Sequence, residues 1–539
     1  MASFFQTLSD VFSAFGAAVF VPVILFIIAK CMGVTGKKAF NTALLCAVGL
    51  TGFNLVINSY SASIAPVVNQ MVTNAGVNLP TLDTGWQSTS VIAYSTKVGL
   101  IFIGVAIILQ LVLFFTKWTN VFMASDLWNN YSFMVWGSML YALTDNMMLS
   151  MALMVVQLLY ILLFSEACAK RWSTYYDYDN CCMTAPHHLE SLPFAVFMNW
   201  FLGKIGFDKI KLNAQTLQKK LGILGEPMFI GLVVGALIGI IGNFNALVGE
   251  GALTAWGTVS SAAVSTAAIM AVFPKVAGIF ASAFTTLTDA YKSKAAKSGE
   301  GREWYLSVND ACGYGEPNTL VTGILLIPIM LVVAFVLPGN TILPMADLCA
   351  LPYMVEVFVC VSNGNIAKSV VSGAIWFSLG LVVASALAPT FTQVAVDAGF
   401  QLAQEGVFII SFGIMCHPLI AGLFYAFWSQ NPIIIGAVVI AYFVLYFLFK
   451  KNKERFVGYL ENAAAAYSAY WRLLGFENSR PLLQMQRAVY VVYSKGGKDE
   501  GTDTKSRRIS YWSVMLLFRR TRWSRRCSKA HSAAAGSPS

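Results

Sequence analysis

Charge is scarce in this sequence. Of its 539 residues only 12% are Asp, Glu, Lys or Arg while 57% are hydrophobic, and the mean hydropathy is +0.65. A soluble domain carries about a quarter charged residues, so water is excluded as the main solvent of this chain. Metal-ligand spacing is also missing. The 10 cysteines are scattered apart from the vicinal Cys181-Cys182 and read as small buried hydrophobes. There is no glycine-rich phosphate loop, and the 4 histidines form no nucleophile–base–orienter pattern. Metal, cofactor and hydrolytic centres are therefore not expected, and no catalytic residue is assigned. Lys and Arg are absent from the whole stretch Ser59–Thr96.

What is present is a series of long apolar runs. A helix that crosses a bilayer needs about 20 mostly apolar residues, because its backbone amides must be satisfied internally. Such runs are Val11–Ile28, Phe40–Ile57, Val98–Phe115, Phe133–Phe164, Met228–Ile241, Ala252–Phe273, Leu320–Leu337, Ile342–Val361, Val370–Leu387, Val407–Trp428 and Ile433–Phe449. Val11–Ile28 has no basic residue before it and Lys30, Lys37 and Lys38 after it, and reads as a retained first span. The chain is thus expected to be an all-α polytopic membrane protein of about 10–12 membrane segments.

Short basic loops stay in the cytoplasm. Lys30–Lys38, Lys170-Arg171, Lys204–Lys220, Lys292–Arg302 and everything after Phe449 are basic, so Ser59–Thr96 is the expected external loop. The N-terminus is then outside and the C-terminus cytoplasmic. Counting each run as one crossing puts the basic tail on the wrong side. At least one run must be re-entrant: Ile342–Val361, interrupted by Pro344, Asp347, Pro352 and Glu356, or Phe133–Phe164, interrupted by Thr144-Asp145-Asn146. Backbone of that kind survives at membrane depth only beside protein or a water-filled cavity, which points to a substrate path.

Residues 1–455 read as the membrane domain and 456–539 as a cytoplasmic tail, with a polar linker near 494–506 (SKGGKDEGTDTKS, Ser494–Ser506). Tyr511–Phe518 followed by Arg519, Arg520, Arg522, Arg525 and Arg526 suits either contact with anionic lipid headgroups or a basic tail with no dedicated role. Nucleic-acid binding has no further support.

Ionisable groups in apolar segments usually line a pathway. Five places qualify: Asp145-Asn146, His187-His188, Glu226, Glu316 with Asn318, and Asp347. Gly225-Glu226-Pro227 and Gly315-Glu316-Pro317 each precede an apolar run. Their carboxylates either complement the helix start or accept hydrogen bonds from the hydroxyls of a neutral ligand. The repeated tripeptide hints at two related halves. Asp145-Asn146 is either a turn or an unwound substrate site. The histidines, in a polar stretch after Pro186, read as soluble-facing.

Several of these motifs occur in one order. Leu224–Gly235 with Gly225-Glu226-Pro227, then Val336–Leu348 with Pro338-Gly339-Asn340 and Asp347, then Gly364-Asn365, resembles the galactitol-type membrane component, IIC, of the bacterial phosphotransferase system. Asp83-Thr84-Gly85-Trp86, Asp126-Leu127-Trp128-Asn129 and Pro186-His187 agree, and the likeness extends over about residues 10–455. The resemblance implies a sugar or polyol permease of the bacterial cytoplasmic membrane. A separate IIB protein, charged by IIA, would phosphorylate the substrate at the cytoplasmic face. It also implies the ascorbate/galactitol-type fold: inverted repeats, re-entrant hairpins and a homodimer. The implied substrate-binding residues are Glu226, His187, Asp347, Asp145, Asn146, Glu316 and Asn318. The sequence departs from the family at Gly315-Glu316-Pro317, where Gly-His is expected, at Pro186-His187-His188, where Pro-His-Gly is usual, and beyond Arg455. The alternative is an ion-coupled secondary transporter in which Glu226 and Glu316 bind protons or cations.

Overall fold

The computed structural model describes residues 17–75, 79–123, 129–210, 212–298, 303–309, 311–344, 346–400, 402 and 407–473. These lie within the unit Met1–Glu477; the unit Asn478–Ser539, with the linker and the apolar and basic stretch after it, lies outside the described residues.

A first pass of the chain runs α1 (Ala17–Cys31), α2 (Gly36–Ala75), β1 (Thr81–Asp83), α3 (Trp86–Ser95), α4 (Lys97–Phe115), β2 (Val121–Phe122), α5 (Asn130–Thr144), α6 (Met147–Tyr176), β3 (Cys181–Met183), α7 (Pro186–Leu189) and α8 (Leu192–Lys204). After the connecting α9 (Ala214–Leu221) the same order returns: α10 (Pro227–Gly242), α11 (Ala252–Ser298), β4 (Tyr305–Val308), α12 (Ala311–Tyr314), α13 (Pro317–Val336) and β5 (Ile342–Leu343). It continues through α14 (Leu351–Met354) and α15 (Glu356–Val361), which together stand where α5 stood, then α16 (Ile366–Asp397), β6 (Phe408–Ile410), α17 (Phe412–Met415) and α18 (Pro418–Trp428). A last helix, α19 (Pro432–Leu473), has no counterpart among the described residues.

The repeat extends to lengths and caps. α6 and α16 have 30 and 32 residues, α4 and α13 have 19 and 20, and α8 and α18 have 13 and 11. Asp145 before α6 and Asn363 before α16 both take left-handed backbone, φ 49° and 55°. Asn146 and Asn365 then cap the two helices, accepting from Leu149 N and Lys368 N. This is the local hydrogen bond for which Asn is favoured at a helix start. The short strands interlock the halves. One parallel sheet has the order β5-β1-β6 and the other β2-β4-β3, so exchanging each strand for its counterpart converts one into the other.

Two kinds of packing follow from composition. α1, α2, α10 and α11 pack on one another. Along α10, Gly231, Gly235 and Gly239 recur every fourth residue and admit the α11 backbone: a Cβ at Gly235 would lie 2.5 Å from Ala262 O, and one at Gly239 2.7 Å from Val259 Cα. Small residues at this spacing let membrane helices approach closely. The rest of the core mixes aliphatic and aromatic side chains, with Phe133, Trp136, Trp172, Phe377, Phe412 and Phe424 fully buried.

Among the described residues six helices are long and apolar enough to cross a membrane: Lys97–Phe115, Met147–Tyr176, Ala252–Val272, Pro317–Val336, Ile366–Asp397 and Pro432–Asn462. The chain is therefore a helical, polytopic membrane protein. Three of the apolar runs are broken. Phe133–Phe164 turns at Asp145-Asn146, Ile342–Val361 becomes β5, a 3-10 turn, α14 and α15, and Val407–Trp428 becomes β6, α17 and α18. One expectation is corrected. Ser59–Thr96 is not a loop: its first part continues α2, and β1 is the central strand of a sheet with Thr81, Asp83, Ser88 and Thr89 buried. Around β1 and α3 it lacks basic residues because that part is largely interior, where a positive charge would be costly. α19 passes through residues 455–456, with a kink at Asn452, and Lys450 Nζ and Lys453 Nζ bind the buried Glu166 of α6 at 2.8 and 2.7 Å.

Candidate functional site

The ends of the β5-β1-β6 sheet meet in a knot of carboxylates. β1 ends at Asp83, whose Oδ1 accepts from Phe412 N at 3.0 Å and Gly85 N at 3.1 Å, and whose Oδ2 accepts from Asp347 N at 2.8 Å. Asp347, four residues beyond β5, accepts through Oδ2 from Gly413 N at 2.7 Å and Ser411 Oγ at 2.9 Å. The Asp347 backbone N–H is thus what ties the two carboxylate-bearing segments directly together. Side chains are excluded around them. A Cβ at Gly85 would lie 3.2 Å from Asp347 Oδ1, and one at Gly413 3.1 Å from Asp347 Oδ2; Gly85 also has φ +62°.

β3 and β6 each lead into a four-residue helix, α7 and α17. The histidines of α7 face inward, contrary to the soluble-facing reading: His188 is buried, and the His187 ring lies 4.2 Å from His188 and 6.2 Å from His417. Proline at 186 starts α7 without wasting a hydrogen bond, and apolar neighbours on both sides carry the pair into the core. His187 is also in electrostatic reach of Asp347.

His417 and Glu190 close the junction between the halves. His417 Nε2 lies 2.8 Å from Gly413 O, and Nδ1 lies 2.9 Å from Glu190 Oε1. A carbonyl oxygen can only accept, so Nε2 carries a proton, and Nδ1 and Glu190 share a second one. Glu190 Oε2 accepts from Leu419 N at 3.1 Å and Ile420 N at 3.0 Å. It thus caps α18 from the other half, where the helix dipole favours a negative charge. A continuous path of hydrogen bonds runs from Glu190 through His417, Gly413 and Asp347 to Asp83.

Glu316 and Asn318 form a second cluster at the start of α13. Glu316 Oε2 accepts from Thr319 N at 2.8 Å and Thr319 Oγ1 at 3.0 Å, and Oε1 accepts from Asn318 Nδ2 at 2.6 Å. Asn318 Nδ2 also lies 3.0 Å from Tyr175 OH, and its Oδ1 accepts from Ala214 N at 2.8 Å. The turn before α16 presses on this cluster. Gly364 has φ +77°, and a Cβ there would lie 2.7 Å from Tyr175 OH.

The remaining sequence candidates stand apart. Asp145 and Asn146 are exposed in the α5–α6 turn. Glu226 precedes α10, is half-buried, makes no side-chain bond to that helix, and accepts from Gln218 Nε2 at 3.3 Å. Nor do the two Gly-Glu-Pro steps mark the duplication. They start α10 and α13, whereas α4, the counterpart of α13, starts at Thr96, whose Oγ1 accepts from Gly99 N at 3.1 Å. Glu190 and His417 were not singled out from sequence. The signal for His417 was available, since it is the ionisable residue inside the apolar run Val407–Trp428.

Known proteins resemble this chain in sequence. A family described as "PTS system sugar-specific permease component" (EIIC-GAT) matches residues 10–406. The "Putative permease IIC component" of Escherichia coli K12 is 28% identical over 406 residues, 75% of this chain and 90% of that protein. The "PTS system galactitol-specific EIIC component" of the same strain is 28% identical over 429 residues, 78% of this chain and 92% of that protein. With its helical, membrane-crossing body and a match over most of its length, the chain belongs to the galactitol-type family of sugar-specific permease components, IIC, of the phosphotransferase system.

Proposed function

We propose that this permease carries a galactitol-like polyol, held where α7 and α17 meet, and delivers it for phosphorylation to a separate IIB protein charged by IIA. The observation that carries this reading is the Glu190–His417 junction, at which a short hairpin from each half converges. α8 has 13 residues and α18 has 11; at about 1.5 Å per residue neither crosses a core of about 30 Å. Each hairpin is therefore re-entrant, and the halves form an inverted repeat, the architecture in which transporters place their substrate at the repeat interface. Broken backbone and polar side chains at that depth fit a cavity for a neutral, hydroxyl-rich solute better than a lipid-facing wall.

In this reading His187 contacts the polyol, and Asp347 shapes the site through its hold on Gly413. Glu316 and Asn318 form a polar step further along the path, Asp145 and Asn146 set the turn into α6, and Glu226 sits near the α10 start as an outlying contact. The cluster of Arg171, Lys450 and Lys453 marks the cytoplasmic side, and Lys30 at the end of α1 marks it again. The N-terminus is then outside and the C-terminus inside a bacterial cytoplasmic membrane, where the protein works as a homodimer and the basic tail meets anionic lipid. Alternating access follows from substrate binding that shifts the population between outward and inward states.

The test is binding of radiolabelled galactitol to the purified full chain. Saturable binding that unlabelled galactitol displaces, and that His187→Ala weakens about tenfold or more, is the expected result. Binding unchanged by His187→Ala removes the site from this junction.

A further inference from the structure

Gln157 lies within α6 with 0% of its surface exposed, and its Oε1 has no hydrogen-bond partner among the described residues. Its Nε2 reaches Ile420 O only at 3.5 Å, at the outer edge of a hydrogen bond. Turning the amide over would set its oxygen against that carbonyl oxygen, so the unmatched acceptor belongs to the position. Trp136 of α5 is also fully buried, and its indole Nε1–H likewise has no partner among the described residues. Its ring packs on Phe424 with centroids 5.4 Å apart.

Ile420 and Phe424 are four residues apart on α18 and so share one face. Gln157 and Trp136 therefore border neighbouring turns at the start of the helix that Glu190 caps and His417 precedes. Buried polar groups nearly always find partners, and buried indole N–H groups do so as a rule. Two such groups against one helix face need a ligand that accepts at one point and donates at a neighbouring one. A vicinal diol does both, since each hydroxyl is donor and acceptor.

Resting on the polyol reading above, we propose that Gln157 and Trp136 hold adjacent hydroxyls of the substrate, Gln157 accepting and Trp136 donating, and so determine which polyol is carried. A site built to bond a hydroxyl rejects the analogue that lacks it, because its own buried groups are then left unpaired.

The test measures galactitol affinity and thermal unfolding of the purified full chain carrying Gln157→Met, which keeps the volume and removes the polar atoms, or Trp136→Phe, which removes the indole N–H together with part of the ring's packing. The expected result is affinity about tenfold weaker in each, with an unfolding temperature equal to or above wild type for Gln157→Met, because an apolar group replaces an unmatched buried one. Among the monodeoxy galactitols, at least one should bind Gln157→Met as well as it binds wild type. Unchanged affinity in both variants overturns the inference while leaving the polyol reading intact. Weaker affinity of Gln157→Met accompanied by a lower unfolding temperature assigns Gln157 to packing and also overturns it. A wild-type chain that binds no polyol overturns both. If one variant fails to insert, the other carries the same decision.

Discussion

Replacing Glu190 by alanine should unfasten the two halves from each other. Three hydrogen bonds end on its carboxyl group: one shared with His417 Nδ1 and two from the first N–H groups of α18. Neutral interhelical bonds inside membrane proteins average only about 0.6 kcal/mol, but a bond to a charged group contributes about 1.5–3 kcal/mol. Loss of a helix cap costs about 1 kcal/mol more. His417 Nδ1 would also be left buried without this partner. Together these give a loss of about 3 kcal/mol for Glu190→Ala and about half that for Glu190→Gln, whose amide oxygen can still cap α18. Denaturant unfolding in detergent measures both, and a double-mutant cycle with His417→Ala isolates the shared bond. Coupling of about 1.5 kcal/mol or more is expected. Glu190→Ala within about 0.5 kcal/mol of wild type, an ordinary surface-substitution effect, or strictly additive single mutants, would refute the junction as the fastening.

Further outcomes follow from the same geometry. Asp347→Asn should be tolerated within about 1 kcal/mol, because the bonds from Gly413 N and Ser411 Oγ both end on Oδ2 and an amide nitrogen can take the place of Oδ1; Asp83→Asn, whose two oxygens both accept N–H groups, should lose about 2 kcal/mol. Unfolding midpoints of the two variants in the reverse order would contradict these acceptor assignments. Gly364→Ala should destabilise by about 1–3 kcal/mol, from left-handed backbone and the 2.7 Å approach to Tyr175 OH, with partial recovery in the double variant with Tyr175→Phe. Removal of residues 496–539 should leave uptake largely intact, and a severe uptake defect in a normally inserted truncation would assign the tail a transport role.

The long helices and the break at Asp145-Asn146 were legible from sequence, because both depend on local hydropathy and turn chemistry. Ile342–Val361 announced its irregularity through Pro344, Asp347, Pro352 and Glu356, whereas Val407–Trp428 has only His417 and Pro418 and reads as one span. Long-range pairing was not legible. Strands of two to four residues carry too little pattern to announce themselves, and β1 finds both partners more than two hundred residues away. The same blindness turned Ser59–Thr96 into a loop, since absence of Lys and Arg looks alike in a translocated segment and in a buried one. Glu190 was invisible for a related reason: its partners, His417 and the start of α18, come from the other half.

Transport itself is best decided in vesicles that hold this permease as the sole carrier, loaded with phosphoenolpyruvate and the soluble phosphotransfer proteins and given labelled galactitol outside. Label should collect inside as the phosphate ester, only when phosphoenolpyruvate is present, and His417→Ala should abolish it. Label collecting as free galactitol, driven by a proton or sodium gradient and indifferent to phosphoenolpyruvate, would contradict it.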